Sequence, residues 1–205
     1  MLHTQTVTPQ TLGLIQALQA EPLLKGFHLV GGTALALQIG HRISVDIDLF
    51  TREDYDVDEL LSLFINRYGF QRNYQRGKTL KGFINGILVD CIRHDYQEIQ
   101  IIEYERVRML SSKDIAAMKL NAITGNGTRV KDFIDVYFLL EAFTLDEMLS
   151  FYKTKYQQDD GLMILRSLSF FDDVDLAEWP HLISEPQLTL DHVKNRIAAA
   201  VKPLL

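Results

Sequence analysis

Apolar and polar residues alternate with a period of two in several short segments of the first 110 residues. The clearest segment is 44–50, SVDIDLF, in which every second residue is apolar. This period indicates a strand with one polar and one apolar face. Asn85-Gly86 between two apolar runs is a strong hairpin signal. The predicted strands are 27–30, 44–50, 70–74, 79–84, 87–92 and 100–104.

Helical patterns and helix caps dominate the rest of the chain. Proline at the first helical position opens a helix at Thr8-Pro9, and Thr144-Leu-Asp-Glu147 is a capping box that starts another helix. Further predicted helices are 33–39, 58–67, 111–122, 130–143 and 189–201. We therefore predict an α+β fold that divides near residue 110 into an α+β unit, 1–110, and a helical unit, 111–205.

Composition narrows the function classes. The chain has 205 residues, 47% of them hydrophobic and 23% charged, as is ordinary for a globular protein. No apolar run reaches the roughly 20 residues of a membrane helix, the first residues do not resemble a signal peptide, and Cys91 is the single cysteine. We expect a cytoplasmic protein without membrane contact. The net charge of −6 disfavours strong non-specific electrostatic binding to nucleic acid.

Three carboxylates are candidates for a metal site. Asp46 and Asp48 are spaced i, i+2 on a predicted strand, so they share one face. Asp90 ends the apolar run 87–90, and the three side chains converge if the two strands are neighbours. Converging carboxylates repel one another and lose hydration, a penalty that a hard divalent cation removes. A solvated strand face for the pair, and a strand-end cap for Asp90, are the simpler interpretations.

A glycine turn lies upstream of these carboxylates. Gly31-Gly32-Thr33 follows an apolar strand and opens a helix, an arrangement that places backbone N–H groups where they can hold phosphate. Glycine pairs more often mark plain turns. No Gly-Lys-Ser/Thr follows, which excludes a Walker loop, and the G-x-G-x-x-G pattern of dinucleotide sites is absent.

Three polar residues precede Asp46. Ser44 lies on the same strand face as Asp46. It either contacts phosphate or metal, or it is simply a polar residue on a polar face. The spacing alone favours neither interpretation. His41 and Arg42 lie in the predicted loop before the strand. Contact with phosphate is one interpretation of this pair, and loop charges are the commoner one.

The segment 116–137 holds the remaining candidates. Lys119 lies within a small, apolar helical segment, while Asp132 and Asp135 share a face of the next helix. A structural ion pair between Lys119 and Asp135 is favoured by composition; alternatively, Lys119 faces a triphosphate and Asp135 orients it. The six histidines have no zinc-binding spacing, and Cys91 is interpreted as a packing residue.

Together, these motifs resemble a known family. The segments GGTALAL, RISVDIDLF, ILVD, AAMKLNAI and GTRVKDFIDVYFLL are similar to those of the AbiEii/AbiGii-type nucleotidyltransferases, close to the MenT toxins, within the DNA polymerase β-like nucleotidyltransferase superfamily. The resemblance covers about 27–143. It implies a nucleotidyltransferase core with a mixed sheet, followed by a C-terminal helical bundle that completes the active-site cleft.

The resemblance assigns roles by position. It implies metal binding by Asp46 and Asp48, and places Asp90 where the superfamily has its third carboxylate, a position that this group does not always use. It implies nucleotide binding by Gly31, Gly32, Thr33, Ser44, Lys119 and Asp132. The implied catalytic set is Asp46, Asp48, Asp90, Lys119 and Asp135. Thr33 departs from the usual serine but keeps the hydroxyl.

The implied function is Mg²⁺-dependent transfer of NMP from an NTP to an acceptor hydroxyl, with Mn²⁺ as an alternative ion. The acceptor implied by the resemblance is RNA, notably a tRNA end, or a protein, and a toxin role implies a cognate antitoxin. The alternative from another class is a non-catalytic nucleotide- or partner-binding module that retains the fold. Metal-independent NTP binding would favour that module.

Overall fold

Seven strands and eight α-helices make up the computed structural model, which describes residues 1–205. The strands are β1 (His28–Val30), β2 (Ile47–Thr51), β3 (Gln71–Arg76), β4 (Thr79–Ile84), β5 (Ile87–Arg93), β6 (Ile101–Tyr104) and β7 (Val107–Leu110). The helices are α1 (Pro9–Gln19), α2 (Gly31–Ile39), α3 (Val57–Tyr68), α4 (Ser112–Gly125), α5 (Val130–Leu139), α6 (Leu145–Tyr156), α7 (Gly161–Leu168) and α8 (Leu190–Val201).

The strands form one mixed sheet with the order β3-β4-β5-β2-β1-β7-β6. β2 pairs with β5, and β1 with β7, in parallel, whereas the other neighbours are antiparallel. β2 therefore lies at the centre of the sheet, between β1, which leads into α2, and β5. This order brings the glycine turn, Asp48 and Asp90 to adjacent strands.

The helical half packs on the sheet through one continuous apolar core. Its buried residues include Leu29 and Leu49 from the central strands, and Leu120 and Phe133 from α4 and α5. α2 contacts both α4 and α5, so the helix that follows the glycine turn joins the two halves. None of the helices combines the length and apolar character that crossing a membrane requires. The division into units 1–110 and 111–205 stays a prediction.

The α+β class and the mixed sheet are confirmed, with local differences. The strand expected from residue 44 begins only at Ile47. Before it, the Ser44 N–H donates to the Thr6 carbonyl and the Thr33 hydroxyl donates to the Asp46 carbonyl, so these residues are bonded outside the ladder. Two elements were not expected from the sequence, β7 and α7.

The β6–β7 hairpin escaped prediction because its turn residues are unusual. Glu105 and Arg106 form a two-residue turn with φ of 52° and 66°, the left-handed values that Asn85-Gly86 adopts in the β4–β5 hairpin. Asn-Gly is the preferred pair for such a turn, while other residues pay a steric cost. The turn therefore forms without the Asn-Gly pair from which it could have been predicted.

Replacing Glu105-Arg106 by Asn-Gly is expected to raise the free energy of unfolding by about 1 kcal/mol, because it relieves left-handed strain at both positions. Urea unfolding followed by circular dichroism measures the change. Glu103→Gln, an exposed substitution in the neighbouring strand, is the control and is expected to leave stability unchanged. An Asn-Gly variant no more stable than the wild type would contradict the strain argument.

Candidate active site

A cleft of about 260 Å³ opens between the edge of the central strands and the helical half. Asp46 and Asp48 line it, Asp46 just before β2 and Asp48 within it. Asp48 pairs in register with Val30 of β1 on one side and with Asp90 of β5 on the other. The structure therefore brings the predicted acidic pair to one cavity and places the third carboxylate on the adjacent strand.

The environment of Asp48 penalises its charged form. Burial, and next the charge of Asp90, raise the pKa of Asp48 from 3.8 to about 6, although the Lys119 ammonium acts in the opposite direction. A cation that approaches a carboxylate in this setting stabilises its charged form. Asp46 adds a second oxygen-donor group in the same cleft. These hard donors fit a divalent ion such as Mg²⁺.

Asp90 has an internal partner. Its Oδ2 forms an ion pair with the Nζ of Lys81, the residue opposite it in β4. Its Oδ1 is buried and has no hydrogen-bond partner. No group of three or more His, Cys, Asp or Glu side chains has an arrangement that could hold a metal. Asp90 thus lies beside the acidic pair but is joined to a lysine, and its role as a metal ligand stays a prediction.

The glycine turn fits tightly against the site. Gly31 has φ of +69°, and a Cβ at this position would collide with Oδ2 of Asp48. A Cβ on Gly32 would collide with a guanidinium nitrogen of Arg42. A side chain at either position would displace Asp48 or Arg42, and the backbone conformation of Gly31 also favours glycine.

The glycine turn also starts α2 without a capping side chain. Val30, the N-cap residue, makes no side-chain hydrogen bond to the helix. The first N–H groups of an α-helix have no intrahelical partner, and together with the helix dipole they attract anions. Gly32 and Thr33 line the cleft at this end of the helix. The arrangement can receive a phosphate on backbone N–H groups.

Thr33 and Ser44 are placed at the cleft but are bonded within the protein. The Thr33 hydroxyl is buried; it donates to the carbonyl of Asp46 and lies 2.9 Å from the Ser44 hydroxyl. Contact of these residues with nucleotide, which the resemblance implies, stays a prediction. In the structure, the Thr33 hydroxyl fixes the segment that carries Asp46.

Asp135 is the centre of a buried ion network that sequence analysis only partly anticipated. Its Oδ1 accepts hydrogen bonds from Nε of Arg42 at 2.7 Å and lies 2.8 Å from Nε2 of His41. Its Oδ2 accepts from Nη2 of Arg42 at 3.0 Å and lies 2.6 Å from Nζ of Lys119. Burial alone would raise the pKa of Asp135, but Arg42 and Lys119 hold it well below its ordinary value.

Lys119 lies between this network and the cleft. Its Nζ is 2.6 Å from Oδ1 of Asp132, and Lys119 is one of the residues that line the cavity. Burial alone would lower the pKa of Lys119, but Asp135 and Asp132 raise it, so the side chain remains charged. Both interpretations of Lys119 are therefore compatible with its position: it pairs across two helices and also presents a cation to the cleft.

Sequence reasoning missed the outer wall of the cleft. Residues 178–181, together with Arg129 and Lys131, line it. This wall is positioned by backbone pairing, because Ile43 donates to the carbonyl of His181 and Ile183 donates to that of His41. Trp179, the single tryptophan, is half-buried in this wall. No motif in the sequence predicts a contact between loops that are about 140 residues apart.

The interpretation of His41 and Arg42 as loop charges is wrong, whereas Cys91 occupies a packing position. His41 and Arg42, which we interpreted more readily as loop charges, are buried. Cys91 is buried in β5, and burial raises the pKa of its thiol, as a packing role requires.

Comparison with known proteins identifies relatives of the chain. The model of the family described as "Nucleotidyl transferase AbiEii toxin, Type IV TA system" matches residues 14–200. The uncharacterized protein aq_aa25 of Aquifex aeolicus (strain VF5) is 34% identical over 154 residues, which are 72% of this chain and 74% of that protein.

Solved structures share the fold at low sequence identity. JHP933 from Helicobacter pylori superposes with a TM-score of 0.56 and 17% identity, covering 97% of this chain and 93% of that chain. The antibiotic-resistance factor ANT(2'')-Ia also gives a TM-score of 0.56, with 15% identity over 74% of this chain and 91% of its own. A further ANT(2'')-Ia structure, in complex with adenylyl-2''-tobramycin, gives 0.53.

Proposed function

The chain belongs to the AbiEii family of nucleotidyltransferases, and from this premise we propose that the cleft around Asp46 and Asp48 binds an NTP with a divalent ion and transfers its NMP to an acceptor hydroxyl. The observation that carries the proposal is the meeting of three features in one cavity. They are the uncapped start of α2, the acidic pair, and the cation of Lys119.

The phosphate end of the nucleotide is assigned to the start of α2. Backbone N–H groups of Gly32 and Thr33 receive the outer phosphates, and Lys119 offsets their negative charge. Asp132 and Asp135 orient Lys119, at 2.6 Å each. The exposed Arg129 and the half-exposed Lys131 extend this positive surface toward the mouth of the cleft.

The carboxylates of Asp46 and Asp48 are assigned to the metal, with Mg²⁺ as the expected ion and Mn²⁺ as its substitute. When bound, the ion supplies charge neutralisation at the triphosphate. The prediction that Asp90 is a third ligand competes with its ion pair to Lys81, which already engages one of its two carboxylate oxygens. Thr33 and Ser44 act as positioning residues that hold the Asp46 segment.

The reaction follows from this placement. The acceptor oxygen forms a bond with the α-phosphorus, the bond from that phosphorus to the bridging oxygen of the β-phosphate breaks, and pyrophosphate leaves with the electron pair. The acceptor loses its proton to solvent or a nearby carboxylate. Positioning and charge neutralisation provide most of the acceleration in such a site.

The acceptor and the biological role are extrapolations from the family. We propose a hydroxyl of RNA, in the first instance a tRNA end, or of a protein, and a toxin role with a cognate antitoxin. The description of the family as toxins of type IV toxin–antitoxin systems supports the toxin role.

The proposal is tested with purified protein, Mg²⁺ and each NTP labelled at the α-phosphate, mixed with total RNA or total protein from the host. We expect label to appear either on RNA or on protein, and with only one or two of the NTPs. The same NTP labelled at the γ-phosphate is expected to leave no label, because pyrophosphate departs.

Two variants complete that test. The double variant Asp46→Ala/Asp48→Ala is expected to lose the transfer, whereas Asp95→Ala, which removes an exposed carboxylate outside the cleft, is expected to retain it. Transfer that survives the double variant, or transfer of the γ-label, would refute the proposed function.

A further inference from the structure

A row of three charged side chains crosses the centre of the sheet. Asp48 in β2 is in register with Asp90 in β5, and Asp90 is in register with Lys81 in β4. Residues in register on neighbouring strands project from the same face of a sheet. The row therefore consists of two acidic residues followed by a basic one. It begins at Asp48, one of the two carboxylates that the proposed function assigns to the metal.

Lys81 provides the positive charge nearest to Asp90. Its side chain is 37% exposed and forms its ion pair with the 9% exposed side chain of Asp90. Removing a buried carboxylate from water costs free energy, and a second carboxylate on the next strand adds repulsion. Lys81 offsets both costs from the solvent side, without filling the cleft around Asp46 and Asp48.

The Asp90 carboxylate is only half satisfied. Oδ2 is held by Lys81, whereas Oδ1 is buried without a hydrogen-bond partner. A cross-strand ion pair that served stability alone would be worth less than about 1 kcal/mol and would have no need of a buried, unpartnered oxygen. An oxygen of this kind beside an acidic pair indicates a group that functions with a cation.

We propose that Lys81 occupies, with its ammonium group, the place of a second cation at this site. It holds Asp90 as a positioning residue, so that the protein binds one divalent ion, through Asp46 and Asp48, rather than two. This inference rests on the proposed function for the assignment of that first ion. Lys81 then supplies permanently a positive charge next to Asp90 that a second metal would otherwise bring.

The inference predicts a gain of metal binding when the lysine is neutralised. In Lys81→Met, Asp90 loses its internal cation and becomes a free carboxylate next to Asp48. Additional carboxylate ligands strengthen the binding of hard divalent ions. We expect the wild type to bind one Mn²⁺ per chain, and Lys81→Met to bind either a second Mn²⁺ or the first about tenfold more tightly.

Mn²⁺ binding is measured without nucleotide, by calorimetry and by the loss of the free-ion electron paramagnetic resonance signal. Lys81→Arg restores the charge and is expected to bind Mn²⁺ like the wild type. Lys78→Met is the charge-matched control, because Lys78 pairs with the exposed Asp54. Lys81→Gln provides a second neutral variant, and circular dichroism checks that each variant folds.

The outcomes separate the two proposals. Unchanged Mn²⁺ binding in both neutral variants, with normal wild-type binding, overturns the inference alone. A gain that persists in Lys81→Met/Asp90→Asn also overturns it, because Asp90 is then not the added ligand. Wild-type binding that is insensitive to Asp46→Asn and Asp48→Asn refutes the metal assignment of the proposed function, and the inference falls with it.

Discussion

Replacing Asp48 by asparagine is expected to lower kcat/KM for nucleotidyl transfer roughly a thousandfold, the scale of losing a main charge-stabilising group in an active site. Asparagine keeps the shape of the side chain and its contact with the glycine turn but removes the negative charge. Asp48 lies beside Gly31 and Asp90 in the central strands, so a larger substitution would disturb the fold. Steady-state kinetics with the labelled NTP measures the change.

The same substitution is expected to make the metal-free protein more stable. Because burial and Asp90 raise the pKa of Asp48 from 3.8 to about 6, the native state binds more protons than the unfolded state between these values. The contribution of Asp48 is therefore most favourable below pH 3.8, and it is lost as the pH rises through about 6. Above that pH the penalty is at most about 3 kcal/mol, from a shift of about two pKa units.

Urea unfolding between pH 4 and pH 7.5 measures this second effect. We expect the stability of Asp48→Asn relative to the wild type to increase over that range, and Mg²⁺ to narrow the difference at pH 7.5 by binding the native wild type. Glu103→Gln, outside the cleft, is expected to show neither effect. A variant that loses activity and stability together would instead indicate a structural role for Asp48.

Removing the centre of the ion network is expected to have the largest effect on stability. Asp135→Ala leaves Arg42 and Lys119 buried without their shared carboxylate. Breaking a buried pair by removing one partner typically costs about 3 to 5 kcal/mol, because the remaining charge is uncompensated. For a chain of this size we expect the Tm to fall by about 10 °C.

Differential scanning calorimetry of Asp135→Ala at pH 7 measures the loss. Asp132→Ala is the matched control, since Asp132 is equally buried and also contacts Lys119 but has no bond to Arg42. A smaller loss is expected there, because Asp135 still holds Lys119. A decrease below about 1 kcal/mol for Asp135→Ala would show that the network contributes little to folding.

Local patterns predicted the parts of the site that lie close together in the sequence. The glycine turn and the acidic pair are separated by one short helix. The strand–helix–strand pattern of the sequence is therefore sufficient to predict that they lie close together. Asp90 was placed beside Asp48 by the assumption that two apolar strands are neighbours, and the register supports it. These relations follow from the regular spacing of strand residues.

The remaining features depend on contacts that periodicity does not encode. The local sequence favours a loop charge for Arg42 because its partner, Asp135, is 93 residues away. Lys81 was not singled out because its importance arises only from the register of β4 against β5. Trp179 comes to the cleft through pairing of irregular segments. A single sequence gives no signal for such long-range pairing of loops.

Metal and nucleotide are proposed to meet in the cleft beside β2, and the fluorescence of Trp179 tests this most directly. Trp179 is the only tryptophan and lines that cleft. Titration of the wild type with NTP is expected to change its emission saturably in the presence of Mg²⁺ and weakly without it. Asp46→Asn/Asp48→Asn is expected to remove the dependence on Mg²⁺. An emission unaffected by NTP, or a change equal with and without Mg²⁺, would contradict the claim.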